Sequence, residues 1–369
     1  MTKNEAFYSI ALTITPKVGT VGAKRLIDMA GSATFIFEHV RELAAQKLIH
    51  PSIANQLQQN SVLEKAQRIY DETLSKGIAI IPFVSDLYPP RLKECEDAPI
   101  ILFYKGSANL DESRVISIVG TRNMTEYGRD VCNRLVSDLA AYDKDILIVS
   151  GLAYGADVQA HRSALDRGLN TVGVLAHGLD IIYPSAHYSI AEEMCKNGGL
   201  LTEFCLHTEP ERYNFVSRNR IVAGISDATI VIESAAKGGS LITADLANDY
   251  NRECFALPGR VTDKYSAGCN YLIRKNKAVS FSSAEDIIDY MGWGQSKKHK
   301  TQKIQNILDE NITLNEKNVI ELLQSKGDLQ IDHLVVLTGI PISTLHTTLF
   351  ELEMKGCIKS IVGGAYHLI

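Results

Sequence analysis

The chain has 369 residues, 45% hydrophobic and 22% charged, with 38 Lys and Arg against 43 Asp and Glu for a formal net charge of −5. That length supports two or three domains with their own cores, and the charge excludes a histone-like coat for nucleic acid while leaving room for a local basic groove. No run reaches the roughly 18 apolar residues of a membrane span, and no basic-then-apolar leader opens the chain, so no membrane span and a cytoplasmic location are expected.

Residues 1–75 carry apolar positions at helical spacing and read as a helical domain. Within it, residues 15–27 resemble a helix-hairpin-helix or SAM-like turn, whose backbone N–H groups meet a DNA phosphate. Lys17 stands where the first hairpin glycine is usual, and the plainer reading is a helical packing module. Residues 76–291 form the next domain. Its first part, with Pro82, Pro89, Pro90 and Pro99, suits edge strands at 78–83 and 100–104.

From residue 115 apolar strand-like runs alternate with helical segments. The strands are expected at 115–119, 146–149, 171–175, 199–202, 229–233, 253–257 and 278–281. Helices are expected at 127–141, 157–167, 190–196 and 241–250. This alternation predicts a doubly wound, mostly parallel α/β sheet of extended Rossmann-like type, with ligands outside the carboxyl ends of its strands. Small and polar residues gather at those ends, in 120–122, 150–155, 177–180, 203, 233–240 and 258–259.

The stretch from Arg212 to Ala247 concentrates the chemistry. Arg212, Arg218 and Arg220 stand close together, with Phe215 and Asn219 among them. A strand, then Gly238, Gly239 and Ser240, then a helix make an anion site, because free backbone N–H groups and the helix dipole point the same way. Arginine supplies forked donors and phenylalanine a stacking face. Arg122, in the turn after the first parallel strand, is a further phosphate ligand. The site is therefore expected to take a phosphate-bearing ligand, with a nucleic-acid strand among the candidates.

Asp157 and His161, four apart on one helix, suit either a catalytic or metal pair or ordinary helix-face hydrogen bonding. His177, Asp180, Glu203 and Glu233 suit hydrolysis of a glycosidic bond, or capping of helices and holding of arginines. There is no Walker A sequence, no dinucleotide fingerprint and no G-x-S-x-G nucleophile setting. The seven cysteines are scattered without a C-x-x-C pair, as reduced thiols would be. No cofactor, no metal and no catalytic residue is expected.

Residues 292–312 are polar and basic and read as a linker. Residues 313–369 show three helical stretches, the last ended by Gly356, and a hairpin turned at 362–365. This is a winged-helix domain. Ile342, Leu345, Leu349 and Leu352 are expected on one face of its third helix, which carries Glu351 and Glu353 and reads DNA poorly by charge.

The motifs form an ordered series: Ser117-Ile118-Val119-Gly120-Thr121-Arg122, Tyr127-Gly128, Ser150 to Asp157 with Ala160-His161, Gly178-Leu179-Asp180 with Tyr183-Pro184, Phe215 to Gly224, Gly239 to Ala244, and Leu257-Pro258-Gly259 with Gly268 to Ile273. On them residues 115–280 resemble the DNA-processing protein A family, also called Smf, of bacterial recombination and natural transformation. The resemblance implies a single-stranded DNA-binding core that protects incoming DNA, forms a homodimer and loads the bacterial strand-exchange recombinase, without enzymatic activity. It implies a DNA pocket of Arg122, Gly178, Arg212, Phe215, Arg218 and Lys237 through Ser240. Thr202, Ala156 and Asn276-Lys277 depart from the family's usual residues without removing a pocket cation. The alternative is a nucleotide phosphoribohydrolase-like enzyme. Its Pro-Gly-Gly-x-Gly-Thr-x-x-Glu turn is altered here, with Leu241-Ile242 for Gly-Thr and Asp245 for the glutamate. A protein-interaction scaffold is a third reading.

Overall fold

The computed structural model describes residues 3–294, 313–327, 329–355, 357–361 and 365–368. Of the expected linker at 292–312, residues 295–312 lie outside these residues, as do Gly356 and residues 362–364. The chain divides into two compact units, Met1–Ile287 and Ile288–Ile369.

The first unit begins with α1 (Lys3–Ile14), α2 (Gly19–Ala30), α3 (Ala33–Glu38), α4 (Val40–Ala45), α5 (Pro51–Leu57) and α6 (Asn60–Ser75). Buried Glu5 of α1 accepts the backbone N–H groups of Ala33 and Thr34 at 2.9 and 3.0 Å, so α1 satisfies the N-terminal donors of α3. In the hairpin-like turn Lys17 has φ 69° and Gly19 has φ 63°. Lys17 thus takes the left-handed backbone that a glycine would take more easily. Helix α1 packs on α6 and also on strands β1 (Ala79–Pro82) and β2 (Ile101–Gly106), so these helices share one hydrophobic core with the sheet. The expected boundary at residue 75 is a change of secondary structure inside one compact unit.

The sheet continues, after the short α7 (Pro90–Lys93), with β3 (Arg114–Val119), α8 (Glu126–Tyr142), β4 (Ile146–Ser150), α9 (Ala156–Asp166), β5 (Thr171–Val174), α10 (Tyr188–Met194), β6 (Gly198–Thr202), α11 (Arg212–Gly224), β7 (Ala228–Val231), α12 (Gly239–Asp249), β8 (Glu253–Ala256), α13 (Ala267–Arg274), β9 (Val279–Ser280) and α14 (Ala284–Tyr290). The nine strands run in the order β1-β2-β6-β5-β4-β3-β7-β8-β9. All pairs from β6 to β9 are parallel, and β1 and β2 join antiparallel at one edge. Every residue of β4, β5, β6 and β7 is buried, as continuous apolar strands covered on both faces must be. The expected seventh parallel run, at 278–281, shrinks to two strand residues at the sheet edge. Of the run at 229–233 the strand ends at Val231; the Ile232 N–H still bonds the Val119 carbonyl of β3, and Glu233 then serves the neighbouring loop.

The direction of strand addition reverses at β3. From it the chain moves to β4 on one side and later to β7 on the other. A crevice opens at such a reversal, outside the carboxyl ends of the strands.

The second unit holds the helices Leu314–Lys326, Ile331–Thr338 and Ile342–Met354, with strands Leu329–Gln330, Ile358–Ile361 and Ala365–Leu368 in a three-stranded antiparallel sheet. Its first helix opens on a capping box between Thr313 and Glu316. Leu345, Leu349 and Leu352 are buried in its core, whereas Ile342 is 52% exposed. Ile342 opens its helix directly after the N-cap, so it has no preceding turn to pack beneath. Among the described residues no single helix is long and apolar enough to cross a membrane.

Candidate nucleic-acid interface

Three walls build the crevice at the reversal point. The first follows β3, where Gly120, Thr121 and Arg122 leave the sheet. Its position is fixed from two sides: the Thr121 N–H donates to the Glu233 carbonyl at 2.7 Å, and the Ala156 N–H donates to the Thr121 carbonyl at 3.2 Å. A side chain at Gly120 would run into Ala156 Cβ and the Glu233 carbonyl, and one at Gly155, whose φ is 77°, would strike the Thr121 carbonyl. These glycines let the turns after β3 and β4 meet backbone to backbone. Buried Glu233 completes the clamp, accepting the Thr125 N–H at 2.8 Å and the Thr125 hydroxyl.

The second wall is α11. Arg212, Phe215, Arg218 and Asn219 line the crevice from this helix, three or four residues apart on one face. Phe215 is half-buried, and its ring meets the edge of Tyr183 with centroids 5.7 Å apart. The Arg122 and Arg218 guanidiniums lie 5.9 and 6.0 Å from the Phe215 ring centroid.

The third wall is the N-terminus of α12. Gly238 is the N-cap, no side chain caps the helix, and Gly239 faces open space. The first N–H groups of α12 therefore point at the crevice with the positive end of the helix dipole. The Ser240 hydroxyl is turned away from this work, donating to the Ser234 hydroxyl oxygen at 2.9 Å.

The enclosed space is about 450 Å³. Arg122, Arg212 and Lys237 stand exposed in its lining. None of the three has a hydrogen bond or ion pair among the described residues. Among the described residues the one carboxylate in the lining is Asp157, which is buried. Burial pushes the Asp157 carboxyl up from its ordinary range, opposed by the neighbouring Arg218 charge. The field in the pocket is thus that of three free cations and a helix N-terminus.

Residues 79–292 match the family described as DNA recombination-mediator protein A, and residues 311–364 match the DprA winged helix domain. The chain belongs to the recombination-mediator family. It is 41% identical over 226 residues to the DNA processing protein DprA of Bacillus subtilis, covering 61% of this chain and 75% of that one. It is similar to the solved structure of DNA processing protein A from Streptococcus pneumoniae, with a TM-score of 0.62 and 30% identity over 78% of this chain and 98% of that one. A second similar structure is that of DNA processing protein A from Helicobacter pylori, described for its single-stranded DNA binding mode. There the TM-score is 0.53 and the identity 29%, over 58% of this chain and 95% of that one.

Within this family fold the residues expected from the sequence divide into two groups. Arg122, Arg212, Phe215, Arg218, Asn219, Lys237, Gly238, Gly239 and Ser240 all line one pocket. Gly178 and Arg220 do not. Gly178 is buried in a loop, its N–H donating to the Thr208 carbonyl at 3.0 Å, and a side chain there would meet Asp180 and the Cys205 carbonyl. Arg220, two residues from Arg218 and so on another face of α11, pairs with buried Glu203 and donates to the Asp97 carbonyl. Arg218 lies on the pocket wall, yet its guanidinium is spent inward on the Gly151 and Val174 carbonyls. Gly151 has no side chain because the Arg218 guanidinium occupies that space.

The acids and histidines singled out in the sequence are taken up by structure. Asp157 accepts from the Ala153 N–H at 3.3 Å, and buried His161 shares a 2.7 Å hydrogen bond with the Thr171 hydroxyl. Burial pushes the His161 imidazole down to about 3. Asp180 pairs with His207, whose other ring nitrogen meets Glu72 of α6. No cluster of three His, Cys, Asp or Glu residues among the described residues is arranged to hold a metal. The lining also holds Thr121, Ile242 and Thr243, which lie inside the motifs at 117–122 and 239–244 but are not among the site residues expected from the sequence, because their side chains carry no charge or ring.

Proposed function

We propose that this chain binds single-stranded DNA in the pocket between β3, α11 and the N-terminus of α12. The observation that carries this reading is the convergence there of three exposed cations whose side chains make no hydrogen bond or ion pair among the described residues, an uncapped helix N-terminus and the half-exposed Phe215 ring. Cations and helix N–H groups suit phosphates, and an aromatic face suits an unstacked base. A double strand presents no free base face, so the ring favours the single strand. The H. pylori relative, described for its single-stranded DNA binding mode, supports the same reading.

Family membership supports a finer role: a DNA-binding homodimer that protects an incoming strand and loads the strand-exchange recombinase onto it. The phosphoribohydrolase alternative finds less support. Asp245, standing where that class has its glutamate, pairs with Lys277 at 2.7 Å and does not line the pocket.

Replacing Arg122 and Lys237 together by alanine tests the pocket. The double variant should keep its melting temperature and lose strand affinity by about tenfold or more at low salt. Its log affinity should also fall less steeply with log salt, by about 1.4, since each phosphate contact on a single strand contributes roughly 0.7. Unchanged affinity in a folded double variant would reject the pocket as the binding site.

A further inference from the structure

A second groove of about 920 Å³ lies beside the pocket, on the far side of Arg122, between the first turns of α8 and α9. Arg122 lines both spaces. Arg129 of α8 and Arg162 of α9 line the groove from opposite sides, both exposed. Among the described residues the Arg162 side chain makes no hydrogen bond or ion pair, and the Arg129 side chain makes one long hydrogen bond, to the Met124 carbonyl at 3.3 Å. No carboxylate among the described residues lines the groove. In a chain with 43 acids against 38 bases, three arginines lining one groove without an ion pair repel one another. Their field is complementary to a polyanion.

The groove also holds an aromatic ring. Tyr154 is 49% exposed, and its ring is set edge-on against His187 with centroids 4.9 Å apart. His187 is itself buried and anchored through Nδ1 to the Leu152 carbonyl at 2.8 Å. Tyr154 is thus held in place by a fixed neighbour, and a base stacking on it would meet an ordered surface. Forked cations spaced around one exposed ring repeat the chemistry of the pocket next door: guanidiniums for phosphates, a ring for a base.

We propose that this groove is a second binding segment for a nucleic-acid single strand, carrying it from Phe215 over Arg122 to Tyr154 between Arg129 and Arg162. The proposal rests on the reading of the pocket as a single-strand site and adds to it a direction of exit and three further contacts.

The test is fluorescence anisotropy with the full chain and two labelled oligothymidylates, of about six and about twenty nucleotides, the shorter chosen to fill little more than the pocket. Wild type should bind both, the longer more tightly. The Arg129→Gln/Arg162→Gln variant should bind the short strand like wild type and the long strand about tenfold more weakly, its salt slope on the long strand reduced by about 1.4 for two lost phosphate contacts. Tyr154→Ala should weaken the long strand alone, with the salt slope kept. If Tyr154→Ala lowers the melting temperature, the paired arginine variant alone decides. Unchanged long-strand binding in the arginine variant overturns the proposal, and so does equal loss for both lengths, because the groove is then not a separate segment. Failure of wild type to bind either oligonucleotide overturns the pocket reading itself and this proposal with it.

Discussion

Arg218 and Phe215 stand three apart on α11 and do different work. Phe215 keeps part of its ring open to the pocket, while Arg218 sends its fork into the sheet, to carbonyls at the ends of β4 and β5. Phe215→Ala should therefore cost roughly 1–3 kcal/mol of strand affinity with an unchanged salt slope, and Phe215→Trp should retain most binding; quantitative titration checks both. Loss of folding in Phe215→Ala, seen by circular dichroism, would make the ring a core residue instead. Arg218→Ala should act on stability first. It leaves Asp157 buried without its neighbouring charge and two carbonyls without their donor, so a loss on the order of 3–5 kcal/mol is expected in urea unfolding. Wild-type stability with a flattened salt dependence would instead make Arg218 a direct phosphate ligand. The sequence made Arg212, Arg218 and Arg220 look alike because all three are arginines on one polar helix. Which of them reaches solvent depends on carbonyls and on Glu203, contributed by segments distant in the chain, and no local pattern reports that.

The helix α12 offers the proposed anion site as an element, not through one side chain. Its N-terminus was legible from the sequence because a buried strand, two glycines and a serine precede an apolar helix. The free space around Gly239 was not, since it depends on how α11 packs beside α12. That space permits a direct test. Gly239→Asp adds a carboxylate at the helix N-terminus, where it should be neutral or favourable for stability. In the pocket it meets the phosphate site, where like charges oppose each other by several kcal/mol. Strand affinity should fall by at least about tenfold while the melting temperature holds or rises. Gly239→Ala should leave both nearly unchanged. Full affinity in Gly239→Asp would mean that no phosphate sits at this helix end. The groove residues Arg129 and Arg162 escaped notice for a related reason: they belong to two helices and come together only when α8 packs on α9.

At the scale of the molecule, the alternation of apolar runs and helices was enough to place a parallel sheet, and the reversal of strand order at β3 puts the candidate pocket where the motifs converge. What alternation did not show is that the N-terminal helices join the sheet edge in one core, because burial of α1 against β1 and β2 is a long-range contact. A chain of net charge −5 binds a polyanion only through a local concentration of cations, and in the pocket the cations whose side chains make no hydrogen bond or ion pair among the described residues are Arg122, Arg212 and Lys237. The most direct measurement is a titration of one sequence as single strand and as duplex, by the full chain, at two salt concentrations. The single strand should bind more tightly at both, with log affinity falling against log salt at a slope of about −2 or steeper for three or more phosphate contacts. Equal affinity for strand and duplex, or binding that ignores salt, would contradict a cationic, base-stacking single-strand site.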